Sequence, residues 1–243
     1  MLSLYVKKLN IMKVQIWSDV QCPFCYIGKR RFEEALFGFE HSNVIEIEWK
    51  SFLLNPTLKT DPSISVYQSL SDSKGWQMDY TRQVSNQVTE MAAQVGLNFN
   101  FDQAVVANSF NAHRLSHLAK KYNKGNELEE LLFKAYFTEG KNIDDTKVLT
   151  EIGLSVGLNE SEVKQTLATN NYNDDVHRDV YEAQTLNVRG VPFFVMDNRY
   201  AISGAQATEV FLNTLQTAYS EWQKQPAELN VTDGPTCEPG GDC

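Results

Sequence analysis

Residues 12–36 read MKVQIWSDVQCPFCYIGKRRFEEAL, and the pattern of this stretch decides the fold class. Val14, Gln15, Ile16 and Trp17 alternate and are strand formers, whereas the run from Cys22 to Leu36 has helical periodicity. Pro23 falls in the first turn of that helix, where a missing N–H costs no hydrogen bond. A strand, a short loop and a helix therefore present Cys22 and Cys25 in C-x-x-C spacing at a helix start. Working outward, residues 45–54 open with period-two alternation and are stopped by Asn55-Pro56, which completes a βαβ unit. From about 62 to 186 the periodicity is helical, with helices expected near 77–95, 109–122, 127–138, 145–156, 161–168 and 173–186. Strand character returns over 191–196 and, after Asp197-Asn198, over 199–202, which reads as a hairpin. One of the alternating pair Phe193 and Phe194 belongs in the core. A last amphipathic helix spans 207–224, so the chain reads as a small mixed α/β domain interrupted by a helical block.

The chain has 243 residues, with 42% hydrophobic, 22% charged and 11% aromatic, the composition of an ordinary globular protein. Its formal net charge of −9 excludes a nonspecific grip on nucleic acid or an anionic membrane. No secretory leader is legible and about 18 apolar residues never run unbroken, so a soluble, cytoplasmic protein is expected. Met12 heads the first strand, leaving 1–11 as an N-terminal extension. Residues 225–243, rich in Pro and Gly, read as a flexible tail carrying Cys237 and Cys243. Four cysteines in two close pairs point to redox chemistry or metal binding rather than a disulfide framework.

A cysteine at a helix N-terminus has its thiolate favoured by unpaired N–H groups and the helix dipole, which makes Cys22 the attacking sulfur. Cys25, one turn along and partly shielded, resolves the mixed disulfide. Half of a zinc site, or two buried thiols, are the alternatives that the spacing leaves open. His113 and His117 sit one turn apart, but Arg114 stands where a zinc-protease helix needs Glu; they read as a polar helix face at the domain interface, and no metal site is expected. Phe24, Tyr26 and Phe193 read as exposed aromatics near the site, candidates for gripping unfolded polypeptide.

The segments VQIWSDVQCPFCYIGKRRFEEAL (14–36), EWKSFLLNP (48–56), NSFNAHRL (108–115) and VRGVPFFVMDNRYAISGAQ (188–206), in that order, resemble the FrnE-like branch of the DsbA family. The resemblance covers about 12–224. It implies a thioredoxin-like fold over 12–61 and 187–224, discontinuous and interrupted by a helical insertion over 62–186. It further implies thiol–disulfide oxidoreductase activity with Cys22 and Cys25 as the catalytic pair, and Pro192 as a cis-proline facing them. The preceding Val191 would offer its backbone to an extended substrate. The base rate of about 5–6% for cis X–Pro bonds would by itself favour a trans proline at the start of an edge strand.

Two departures stand out. Relatives carry an acid within the strand before the motif, where this chain has Ile16, and the nearest acid, Asp19, reads as an exposed loop or cap carboxylate, with a proton relay to Cys25 as its other reading. Phe24 replaces the histidine of the strongly oxidising members, so the disulfide is expected to be a weaker oxidant. Exchange needs no cofactor. Protein disulfides and dithiols are the expected clients, with glutathione or another thiol as redox partner. The tail pair Cys237/Cys243 is a candidate auxiliary dithiol. The competing readings are a glutathione-dependent transferase or isomerase of the kappa or 2-hydroxychromene-2-carboxylate isomerase type, with glutathione contacts from 203–206, and a zinc-binding chaperone-like module using all four cysteines.

Overall fold

The structure, a computed structural model, describes residues 11–224. The extension expected over 1–11, apart from Ile11, and the tail over 225–243 with Cys237 and Cys243 lie outside the described residues. Strand β1 (Met12–Ser18) runs into helix α1 (Pro23–Phe37) and returns through β2 (Ile45–Ser51). Next come β3 (Asp61–Ser65), α2 (Val66–Lys74), α3 (Met78–Ala93) and the two-residue β4 (Val105–Val106). Helices α4 (Phe110–Lys121), α5 (Gly125–Phe137), α6 (Thr146–Ser155), α7 (Glu160–Ala168) and α8 (Asn173–Thr185) follow, before β5 (Phe193–Met196), β6 (Tyr200–Ser203) and α9 (Thr208–Trp222).

The main sheet has the order β2-β1-β5-β6. β1 pairs in parallel with β2 (Val14 opposite Ile47, Ile16 opposite Trp49) and antiparallel with β5 (Ile16 opposite Phe194, Trp17 opposite Phe193). Because successive strand residues face opposite sides, Ile16 and Phe194 enter one core and Trp17 and Phe193 the other. On the first face Phe194 packs against Phe32 of α1 and Phe211 of α9, with ring centroids 5.4 and 4.7 Å apart. On the second, Trp17, Ala183 of α8 and Val188 form a smaller cluster that Val191, Phe193 and Val195 lean against. Trp17 Nε1 donates to the Asp179 carbonyl at 3.0 Å and ties α8 to the sheet.

The expected helices are present. The reading is corrected in three places: the segment before 77 also contains β3 and α2, β3 pairs with β4 as a separate two-stranded sheet, and β5 begins after Pro192 rather than at Val191. Helix α2 is set by its ends, since the Ser65 hydroxyl accepts from Gln68 N and Gly75 closes the helix at φ 67°.

Candidate active site

Helix α1 starts at the sulfur chemistry. Cys22 is its N-cap residue in extended conformation, Pro23 is the first helical residue, and no side chain caps the helix. Cys22 N donates to the Asp19 carbonyl at 2.9 Å and Cys25 N to the Cys22 carbonyl at 3.0 Å, so both cysteines are fixed by main-chain bonds of the β1–α1 turn. The thiol of Cys22 donates to the carbonyl of Val191 at 3.4 Å. The Val191–Pro192 bond is cis, as the resemblance implies. The Pro192 carbonyl in turn accepts from Gly204 N at 2.8 Å, which joins this turn to the end of β6. Gly28, one turn into α1, makes room for the proline: a Cβ there would stand 3.0 Å from Pro192 Cγ.

The two sulfurs are shielded to different degrees, at 4% residue exposure for Cys22 and 1% for Cys25. Burial pushes the Cys25 thiol well above its ordinary titration range, and the adjacent Cys22 adds to this through hydrogen bonding and charge, while the Ser18 side chain and the Asp19 main chain pull the other way. Phe24 lies between them and is 40% exposed. Tyr26 is not exposed, contrary to expectation: its ring stacks on Phe133 of α5 at 5.0 Å and its hydroxyl donates to Glu130 at 2.6 Å. Of the phenylalanine pair, Phe194 is fully buried and Phe193 partly exposed beside Val191.

Asp19 also departs from its reading. It is fully buried, with one carboxylate oxygen accepting from Leu54 N at 2.8 Å and the other from Gln21 N at 3.2 Å. Its third neighbour is His113 of α4, whose Nε2 lies 3.6 Å from Asp19 Oδ1. The two histidines are interior groups on the face of α4 turned to the β1–α1 turn, β2 and α8: His117 Nε2 lies 3.1 Å from both Ser51 Oγ and Asp179 Oδ2. Among the described residues no group of three His, Cys, Asp or Glu side chains is placed to hold a metal ion. Residue-by-residue reading missed Glu129, Glu130 and Asp179 as partners of these groups. The signal for the first two was an acidic pair set directly before the apolar run Leu131-Leu132-Phe133 in the helix of 125–137. Ile16, the position where relatives carry an acid, packs in the core.

Residues 13–216 match the family model of the DsbA-like thioredoxin domain. The chain is 32% identical over 215 residues to the uncharacterized protein YwbO of Bacillus subtilis, covering 87% of this chain and 98% of that one. A probable DsbA oxidoreductase from Streptomyces coelicolor superposes with a TM-score of 0.82 at 34% identity, over 95% of this chain and 97% of that chain. The cytosolic disulfide reductase DsbM from Pseudomonas aeruginosa, solved with GSH, shares the fold with a TM-score of 0.58 at 14% identity, over 87% of this chain and 97% of that chain.

Proposed function

The chain belongs to the DsbA-like thioredoxin domain family, and from that premise we propose that it is a dithiol–disulfide oxidoreductase acting on protein disulfides, with Cys22 as nucleophile and Cys25 as resolving thiol. One observation carries this reading: Cys22 opens helix α1 with its sulfur against the Val191 carbonyl, while Cys25 sits one turn deeper against Cys22. The Cys22 thiolate attacks a client disulfide; a Cys22–client bond forms and one client sulfur leaves as thiolate. Cys25 then attacks Cys22, the mixed disulfide breaks, and two electrons have passed from the pair to the client. Loss of the Cys22 proton releases the Val191 carbonyl from its thiol bond, and the Val191 backbone then pairs with an extended client segment. Phe24 and the exposed part of Phe193 provide the apolar contact beside it. A thiol of the glutathione class resets the disulfide. The cytoplasm, as expected from the sequence, is the compartment for this exchange; no described helix is long and apolar enough to cross a membrane. The presence of a second, buried cysteine favours exchange over a one-nucleophile glutathione transferase.

Insulin reduction tests the assignment. Cys22→Ser abolishes turnover, and Cys25→Ser accumulates mixed disulfides visible by non-reducing mass spectrometry. Undiminished turnover in Cys22→Ser overturns the assignment.

A further inference from the structure

Behind the cysteines lies a buried polar cluster that the exchange mechanism above does not use. His113 is buried in the first turns of α4, and its Nε2 makes no hydrogen bond among the described residues while pointing at Asp19 from 3.6 Å. The charged groups acting on it are Asp19 from the β1–α1 turn, Glu129 from α5 and Asp179 from α8, with Lys50 of β2 lining the same small cavity. A cavity of about 10 Å³ lined by His113, Ser116, His117, Glu129, Lys50 and Ser51 adjoins it. Asp19 belongs structurally to the reactive turn. Its main chain bonds Cys22 N and lies against the Cys25 thiol, and its carboxylate ties that turn to Leu54 beyond β2.

We propose that His113 is a positioning residue for the resolving step: as an imidazolium it neutralises Asp19 beneath the reactive turn, so that negative charge can form on the buried sulfur of Cys25. This rests on the dithiol reading above. In that step Cys25 gives its proton to solvent, the thiolate attacks Cys22, the Cys22–Cys25 bond forms, and the client sulfur leaves and takes a proton. An anion forming in a dry turn whose own Asp19 carries an uncompensated carboxylate is disfavoured by like charge. Asp19 cannot be dispensed with, because both its oxygens hold main-chain N–H groups. A cation must therefore reach it from another element, and α4 supplies one. Burial opposes charge on His113, yet the Asp19 carboxylate beside it, with the charges of Glu129 and Asp179, outweighs burial and raises its titration above the ordinary value. The imidazolium is therefore complete below about 6.5 and is lost as pH rises through the raised value.

Stopped-flow mixing of reduced Cys237→Ser/Cys243→Ser protein with 5,5′-dithiobis(2-nitrobenzoate) separates the two remaining sulfurs, since Cys22 releases the first chromophore and Cys25 the second. In His113→Gln the first phase keeps its rate and the second slows about tenfold, the order expected when a compensating charge leaves a buried thiol. Across pH 5.5–9 the wild-type second phase carries an inflection that the variant lacks. An unchanged second phase, or equal slowing of both phases, overturns the proposal. Should the variant fail to fold, the wild-type protein decides: the inflection of its second phase falls at the titration of the His113 ring followed by NMR, and a second phase that does not track that titration refutes the coupling. Failure of the oxidoreductase reading is distinguishable, because it appears as undiminished insulin reduction in Cys22→Ser whatever His113 does.

Discussion

Phe24 stands between the two cysteines, exposed and without charge, so nothing in the dipeptide holds a thiolate by opposite charge. Phe24→His introduces a cation-capable ring there and should stabilise the reduced form with its Cys22 thiolate, raising the reduction potential by on the order of 30 mV per ~1.4 kcal/mol of added stabilisation. Equilibration against a glutathione buffer measures it; an unchanged potential shows that the dipeptide does not set the poise. Gly28 acts at the same scale through size alone. In Gly28→Ala the new methyl meets a ring atom of Pro192 at 3.0 Å and Ala205 Cβ at 3.5 Å, neither of which is the free end of a flexible chain. Overpacking of this kind costs ~1–3 kcal/mol, so a lowered melting temperature together with slower insulin reduction is expected. The cysteines were legible because C-x-x-C at a helix start is a local pattern. The burial of Asp19 was not, because its partners Leu54 and His113 come from elsewhere in the chain.

At the scale of elements, α1 and α5 are clamped by charge as well as by aromatic stacking. Glu130 accepts from Tyr26, Lys29 and Arg30, and Lys29, almost entirely buried, also reaches Glu33 at 2.5 Å. Partial burial works against the Glu130 carboxylate, but the hydrogen bonds from Arg30, Lys29 and Tyr26 outweigh it and bring its titration down to about 2. A carboxylate lowered in the folded state contributes stability that is present above its unfolded value, near 4.3, and is lost as pH falls toward 2. Glu130→Gln should cost roughly 2–3 kcal/mol at neutral pH after allowing for its partial exposure. Urea melts at several pH values should show that difference shrinking between about pH 4.3 and pH 2; a difference independent of pH rejects the clamp. Helix α2 and strands β3 and β4 escaped the sequence reading because they are short, Pro62 interrupts the pattern and β4 has only two residues. The two strands owe their existence to each other.

Across the whole molecule, the first and the last strands meet in one sheet, since β5 returns beside β1 after the helices. That return brings Val191 to Cys22. The tail pair Cys237/Cys243 lies outside the described residues, and its role is tested chemically: if it exchanges with the active-site disulfide, Cys25→Ser protein yields non-reduced digests linking Cys22 to Cys237 or Cys243. No such link, with turnover unchanged after truncation following Pro226, excludes the relay. The sequence by itself determined the dithiol at a strand-to-helix turn, the flanking strands and helices and the alternation of Phe193 with Phe194, because each depends on spacing within one short stretch. Only the tertiary structure decided that Phe194 faces inward, that Tyr26 is covered by α5 and that His113 meets Asp19. Whether a side chain is buried, and what neutralises it there, depends on which distant segment packs over it, and local periodicity carries no record of that partner.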